Sequence, residues 1–220
     1  MRIFPLLVML LFLLSSSALA QPEIHLNIPE YVLRLIDNGN VLREYHVAVG
    51  APYEPTPIGR FIIAYKEKNP TWYPGSGFAD KTPVPPGPSN PLGTRWIEFL
   101  PAYGIHGTDR AWSIEYPVSG GCVRMYNPDV EELYELVDTG TPVTVSYQTL
   151  VISEKSDGLY LTVYADVYEK NTSTKENLYA LLGSYRSRYP LITEPVWPIA
   201  VEFPAERKIK LADPPGKTKK

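Results

Sequence analysis

The sequence predicts a mainly β protein with one or two helices, followed by a small C-terminal α/β appendage. Three observations carry this. Short runs rich in β-branched, aromatic and aliphatic residues recur as far as Tyr147, separated by Gly, Pro, Asn and Asp. Residues 127–140 alone in that stretch combine helix start and stop signals with an apolar stripe. Past Leu150 a strand pattern starts again and gives way to a second helical spacing.

Tyr31 to Ile36 and Val41 to Val49 read as a hairpin, because Asp37, Asn38, Gly39 and Asn40 supply residues that tolerate positive φ. His46 falls in the second strand and reads as a strand residue pairing with its neighbours. Thr56, Pro57, Ile58 and Gly59 turn the chain into a strand from Arg60 to Lys66, whose imperfect alternation suggests that both faces are covered. Asn69 to Thr94 is crowded with Pro and Gly. It is either a stiff surface loop or a lid or groove wall over a reactive site. Trp96 to Leu100 and Tyr103 to His106 are short strands. Asn127 as a cap, Pro128 in the first turn and Gly140 as a stop then frame a helix with Val130, Leu133, Tyr134 and Val137 on one stripe. Thr141 to Tyr147 returns as a strand.

In the appendage, Val151 to Glu154 and Leu159 to Tyr168 are strands joined through Ser156, Asp157 and Gly158. Ser173 and Glu176 have capping-box spacing ahead of Leu178, Leu181 and Leu182. Asp213 to Lys220 is a Pro-, Gly- and Lys-rich tail expected to fray. The expected division is a signal segment over 1–20, a catalytic domain over 24–148 and an extension over 149–220.

Residues 1–20 have a basic start at Arg2, an apolar run and a small-residue exit ending in Ala20, the pattern of a secretory signal cleaved after Ala20. An uncleaved anchor is the alternative, though the apolar run is short for a membrane span. No later stretch is long and apolar enough to span. The net charge of −3, which loss of Arg2 makes one unit more negative, argues against nucleic acid and other polyanions and leaves small or cell-wall substrates open.

Cys122 is the only cysteine, so the chain cannot form an internal disulfide. In an exported protein such a thiol is either an intermolecular link or a nucleophile. A cysteine attacks as thiolate, and near its ordinary pKa it needs a base or a positive field. His106 lies sixteen positions upstream, a spacing that lets two adjacent strands bring their ends together. Gly107 can offer its carbonyl to the imidazole and fix the tautomer without an acidic partner. Gly120 and Gly121 leave a substrate unobstructed, and backbone N–H groups around Gly121 and Cys122 can form an oxyanion hole. Ser119 either bonds near the thiol or stabilises the turn; Arg124 either binds a substrate carboxylate or pairs with an acid such as Asp129. The reaction class is acyl transfer. Three scattered histidines and one cysteine have no metal-ligand spacing, and no cofactor is expected.

Ile105-His106-Gly107-Thr108 followed by Ser119-Gly120-Gly121-Cys122-Val123-Arg124-Met125 resembles the signature of the L,D-transpeptidase (YkuD) catalytic domain. The likeness extends to Thr56–Phe61, Asn69–Trp72, Pro86–Gly93 and Gly140–Val143, and is greatest to the periplasmic branch that includes lipoprotein-anchoring enzymes. It implies a mixed β domain with Cys122 and His106 in a groove, Thr108 and Arg124 toward substrate, and peptidoglycan tetrapeptide stems as donors. Cys122 would release D-Ala and form a thioester. The acceptor would be a second stem, giving a 3→3 cross-link, or a lysine of an anchored lipoprotein; water would make a carboxypeptidase. Periplasm is the implied location, with a secreted or wall-associated protein as the alternative. The family usually has Ser-His-Gly-Cys, and here Gly120 stands in the place of the histidine. That departure keeps open a peptidoglycan-binding protein without turnover.

Overall fold

The computed structural model describes residues 21–189 and 207–215. The signal expected over 1–20 and the end of the lysine-rich tail lie outside them. The first sheet has five strands in the order β3-β2-β1-β11-β5, formed by β1 (Glu23–Asn27), β2 (Val32–Asp37), β3 (Asn40–His46), β5 (Gly59–Ile62) and β11 (Pro142–Ser146). The second has four, in the order β10-β8-β7-β6: β6 (Tyr65–Lys68), β7 (Arg95–Leu100), β8 (Tyr103–His106) and β10 (Val123–Arg124). A parallel pair, β4 (Val49–Gly50) with β9 (Pro117–Ser119), adjoins it through the Ala48–Arg124 bridge. Helix α1 (Asn127–Leu136) packs on β7 and β8. The mainly β fold class holds, with two helices among the described residues.

The hairpin forms as its turn residues dictate. Asn38 and Gly39 take φ of 49° and 76°, the two positive values of a type I′ turn, and Asp37 pairs with Asn40 across it. Its second strand ends at His46, and Val49–Gly50 belongs to the separate parallel pair. His46 is exposed and its Nδ1 lies 2.8 Å from a Glu115 carboxylate oxygen.

The single strand expected over Arg60–Lys66 is two. Ile63 exchanges hydrogen bonds with Thr141 and Gly140 of the first sheet, whereas Ala64 donates to Glu98 of the second. The chain changes sheets between those two residues, which breaks the alternation. Nor are both faces covered, since Ile62 and Tyr65 are more than half exposed.

Between the two sheets lies one core, built from Ile24, Leu26, Leu33 and Leu35 on one side, Ile97, Ile105 and Val123 on the other, with Val130 and Leu133 of α1. Helix α1 is not capped as expected: Tyr126 is the cap residue and makes no side-chain cap bond, while Asn127 lies inside the helix. Nor does Gly140 stop it. The last carbonyls, of Tyr134 and Val137, are taken by the Lys66 ammonium, and Gly140 turns the chain afterwards with φ of 92°.

The extension has its own core of Leu150, Leu161, Val163, Leu178 and Leu182. It is formed by α2 (Lys175–Gly183) on a three-stranded sheet of β12 (Leu150–Lys155), β13 (Gly158–Val163) and β14 (Arg207–Ala212). The first expected strand runs slightly longer than anticipated and the second stops at Val163. The cap of α2 is Thr174, which accepts from Asn177 N–H; Ser173 instead donates to Thr149. Tyr164 of the extension donates to Glu30, in the turn between β1 and β2, at 2.9 Å, and at the junction Asn27 and Gln148 exchange two hydrogen bonds.

Candidate active site

Cys122 immediately precedes β10, and β10 runs parallel to β8 with Val123 beside Ile105 and Arg124 beside His106. Continuing that register by one residue sets Cys122 beside Gly104. Aligned residues of paired strands share a face, and alternate residues along a strand do too. Cys122, Arg124 and His106 therefore lie on one face of the sheet, while Val123 and Ile105 are buried in the core on the other. With a strand spacing of about 4.8 Å and a rise of about 3.3 Å per residue, the Cα atoms of Cys122 and His106 are roughly 8 Å apart. Two side chains can bridge that distance.

The same logic extends the face to β7, where Trp96 pairs with His106 and Glu98 with Gly104. The Trp96 ring lies against the Gly104 backbone: a Cβ on Gly104 would meet it at 2.7 Å. It also stacks on the imidazole, with ring centroids 5.7 Å apart. Gly104 thus gives Trp96 the room from which it shields His106.

His106 is buried, and its Nδ1 lies 2.6 Å from the Gly107 carbonyl oxygen. A carbonyl only accepts, so Nδ1 carries the proton and Nε2 presents its lone pair. Burial pushes the imidazole pKa down to about 4, against the Gly107 bond that favours the charged form and with help from the Arg124 charge. His106 is therefore neutral at pH 7. Burial pushes the Cys122 thiol up, aided by Glu98 and opposed by the Gly104 backbone and Arg124. Both shifts favour the uncharged pair. At rest the thiol points to the Ala102 carbonyl, 3.6 Å away.

The loop before the thiol is held from within. Ser119 donates to the Cys122 carbonyl at 2.5 Å and accepts from Gly121 N–H at 3.2 Å. Of its two expected roles, it stabilises the turn, and it removes Gly121 N–H from the expected oxyanion donors. Gly121 has φ of 98°, and a Cβ there would meet Tyr103 at 2.5 Å. Gly120 is different. Its side-chain direction is open except for the Glu54 carboxylate, 3.3 Å from where a Cβ would be, so a side chain can start there if that flexible carboxylate gives by a few tenths of an ångström.

Gly107 has a second constraint, which its own carbonyl role does not explain. The Asn127 carboxamide accepts from Thr94 N–H and donates to the Thr108 carbonyl, each at 3.2 Å, wedged against Gly93 and Gly107. Read as a helix cap, Asn127 is instead the brace of the His106–Thr108 segment. The Thr108 hydroxyl, expected toward substrate, is buried and accepts from Arg110 N–H at 3.0 Å within its own loop. Arg124 is half-buried, with its charge influenced by neighbouring Arg110 and Asp109; among the described residues it makes no salt bridge to Asp129 or to any other acid.

One support lies far along the chain. Tyr168 donates to the Gly50 carbonyl at 2.8 Å and accepts from Thr56 N–H at 3.2 Å, clamping the corner that carries Glu54 and Pro55. Its own position is set by Tyr147, which stacks on it and bonds both Asp166 and Tyr168 N–H. A lone tyrosine after a strand carries no local signal of this role. The cavity of about 250 Å³ beside Tyr147, Leu150, Thr172 and Leu181 contains no acid, base or thiol among its lining residues and belongs to the extension.

A thiol and a neutral imidazole on one face of a mixed sheet, with an arginine beside them, are the parts that acyl transfer through a cysteine requires. The family model of the L,D-transpeptidase catalytic domain (YkuD) matches residues 21–145. This chain belongs to that family. It is 35% identical over 135 residues to YqjB of Bacillus subtilis, named in the L,D-transpeptidase class, the match covering 56% of this chain and 73% of YqjB. It is 30% identical over 131 residues to ErfK/SrfK of Escherichia coli, named in the same class, covering 55% of this chain but only 42% of that relative. The solved L,D-transpeptidase from Mycobacterium smegmatis aligns with a TM-score of 0.49 at 22% identity, covering 58% of this chain and 59% of that one.

Proposed function

We propose that the chain is an L,D-transpeptidase that takes peptidoglycan tetrapeptide stems as acyl donors through a Cys122 thioester. The observation that carries this reading is the shared sheet face of Cys122 and His106, with Nδ1 committed to Gly107. The thiol rotates from Ala102 toward Nε2, which accepts its proton as sulfur attacks the carbonyl carbon between diaminopimelate and D-Ala. With Gly121 N–H taken by Ser119, the Cys122 N–H is the backbone donor of this loop assigned to the oxyanion. Collapse breaks the C–N bond, D-Ala leaves with the proton from the imidazolium, and the thioester remains. An acceptor amine then forms the new C–N bond and expels the thiolate, which regains a proton.

Arg124, with Arg110 near it, is assigned to a carboxylate of the stem. The acceptor is a second stem, giving a 3→3 cross-link, or a lysine of an anchored lipoprotein. The site of action is the periplasm, with the wall or the medium as alternatives, consistent with the signal pattern at the start of the sequence. Because Gly120 replaces the usual histidine, a stem-binding protein without turnover is the second reading, and water as acceptor the third.

Intact-mass spectrometry with a tetrapeptide stem separates these. The parent protein gains an adduct corresponding to the stem less D-Ala, and Cys122→Ala and His106→Ala, both folded, do not. Supplying an amine then distinguishes cross-linked product from tripeptide. Stem binding without adduct or product would overturn the transpeptidase reading in favour of the second.

A further inference from the structure

Glu54 stands at the one side of the reactive loop that the family motif would fill with a histidine. Its carboxylate oxygen is 3.3 Å from the position of a Cβ on Gly120, two residues before the thiol. The side chain is exposed, and among the described residues it has no ion-pair or hydrogen-bond partner. Its backbone, by contrast, is fixed. Glu54 N–H donates to the Ala51 carbonyl at 2.9 Å, and Ala51 N–H donates to Ser119 at 2.8 Å, joining this corner to the thiol loop. Gly50 lies so close beneath that an added Cβ would meet the Glu54 carbonyl oxygen at 2.3 Å. Tyr168 clamps the corner from the other side through Gly50 and Thr56. An unpaired carboxylate on a rigid corner contrasts with the arginine side of the same site, where Arg124 and Arg110 lie.

We propose that Glu54 is a specificity-determining residue that recruits the cationic amine of the acyl acceptor to the Gly120 side of Cys122. This rests on the reading of the chain as an amine-accepting acyltransferase and assigns its acceptor side. The pairing is electrostatic: a primary ammonium is attracted to the Glu54 carboxylate and enters beside the thioester, where it gives one proton to water; the free amine then attacks, and the second proton leaving its nitrogen passes through His106 Nε2 to the departing thiolate. Gly120 makes the approach open. A neutral nucleophile such as water gains nothing from Glu54, so the residue favours transfer over hydrolysis.

The test is Glu54→Gln, read in two arms. In the first, Nα-acetyl-lysine amide and its uncharged analogue Nα-acetyl-norleucine amide are titrated into parent and variant, followed by NMR shifts of the amides of Ala51, Tyr53, Glu54, Thr56 and residues 119–122. The lysine probe binds the parent and weakens about fivefold in the variant, the upper range for an exposed ion pair, while the norleucine probe does not change. In the second arm, acyl-enzyme formation from a tetrapeptide stem is followed by mass without acceptor, then turnover with the lysine probe. The acceptor KM rises about fivefold, kcat holds and the hydrolysed share grows. Equal lysine binding in parent and variant, or no shift at these residues, overturns the assignment whether or not the enzyme turns over. Failure of the parent to acylate overturns the transpeptidase reading and the acceptor role with it, and the binding arm then shows separately whether Glu54 holds an ammonium.

Discussion

The Asn127 carboxamide oxygen occupies the space that a side chain on Gly107 would need: a Cβ there would lie 2.1 Å from Oδ1. The two residues are thereby fitted to each other, one supplying the brace and the other the absence of a side chain. Asn127→Ala leaves Thr94 N–H and the Thr108 carbonyl without their partner, at a cost of about 1–3 kcal/mol. Gly107→Ala costs at least as much, because the collision involves a side chain held by two hydrogen bonds. Chemical denaturation measures both, and equal stability of Asn127→Ala and parent would refute the brace.

The depressed imidazole pKa links stability to acidity. His106 in the unfolded chain binds a proton near its ordinary value of 6.5, and in the folded protein only near 4. The unfolded state thus holds more protons between these values, and stability falls as pH drops from 6.5 toward 4, by about 3 kcal/mol at most for this group. His106→Gln shows a correspondingly flatter pH dependence in denaturation midpoints measured over that window.

Alkylation of Cys122 reports the other half of the pair. Burial raises the thiol pKa, so iodoacetamide reacts slowly at pH 7 and faster as pH rises past the ordinary cysteine range. A rate already at its plateau at pH 7 would show a standing thiolate and contradict the neutral pair.

Tyr168→Phe removes one hydroxyl that serves both Gly50 and Thr56. Loss of these two bonds costs about 1–2 kcal/mol. The more direct readout is hydrogen exchange, because Thr56 N–H donates to that hydroxyl. Its amide exchanges faster in the variant while the amides of the hairpin between Val32 and His46 keep their parent rates.

Gly120 and Gly121 are adjacent yet respond oppositely to a side chain. Gly121→Ala is destabilised by about 1–3 kcal/mol, from its positive φ and from collision with Tyr103. Gly120→His folds with a melting temperature close to the parent, since its only near neighbour is the end of the flexible Glu54 side chain. Thermal denaturation of the two variants side by side tests the contrast.

The reactive face was legible in sequence because its parts are local: a glycine after the histidine, a glycine-rich run before the cysteine, and a spacing suited to neighbouring strands. The hairpin was equally plain, for Asn-Gly states its turn directly. Elements that depend on distant partners were not. β1 is five residues long and is defined by pairing with β2 and β11, and β14 lies in a charged stretch stabilised by β13. Residues 60–66 read as one strand because nothing in their composition records that Ile63 and Ala64 bond to different sheets. Asn127 and Ser173 each have the chemistry of a cap, and tertiary bonds claim them for other uses. Glu54 and Tyr168 gain meaning only when the chain has brought them to the thiol loop.

The Tyr168 clamp also has a consequence for biosynthesis. Cys122 and His106 are made well before Tyr168, so a nascent chain has both reactive residues while the corner at Gly50–Thr56 still lacks its last fastener. The finished geometry of that corner is tied to a later segment, so a chain ending before Tyr168 would keep both reactive residues and lose the fastener of the corner beside the thiol loop.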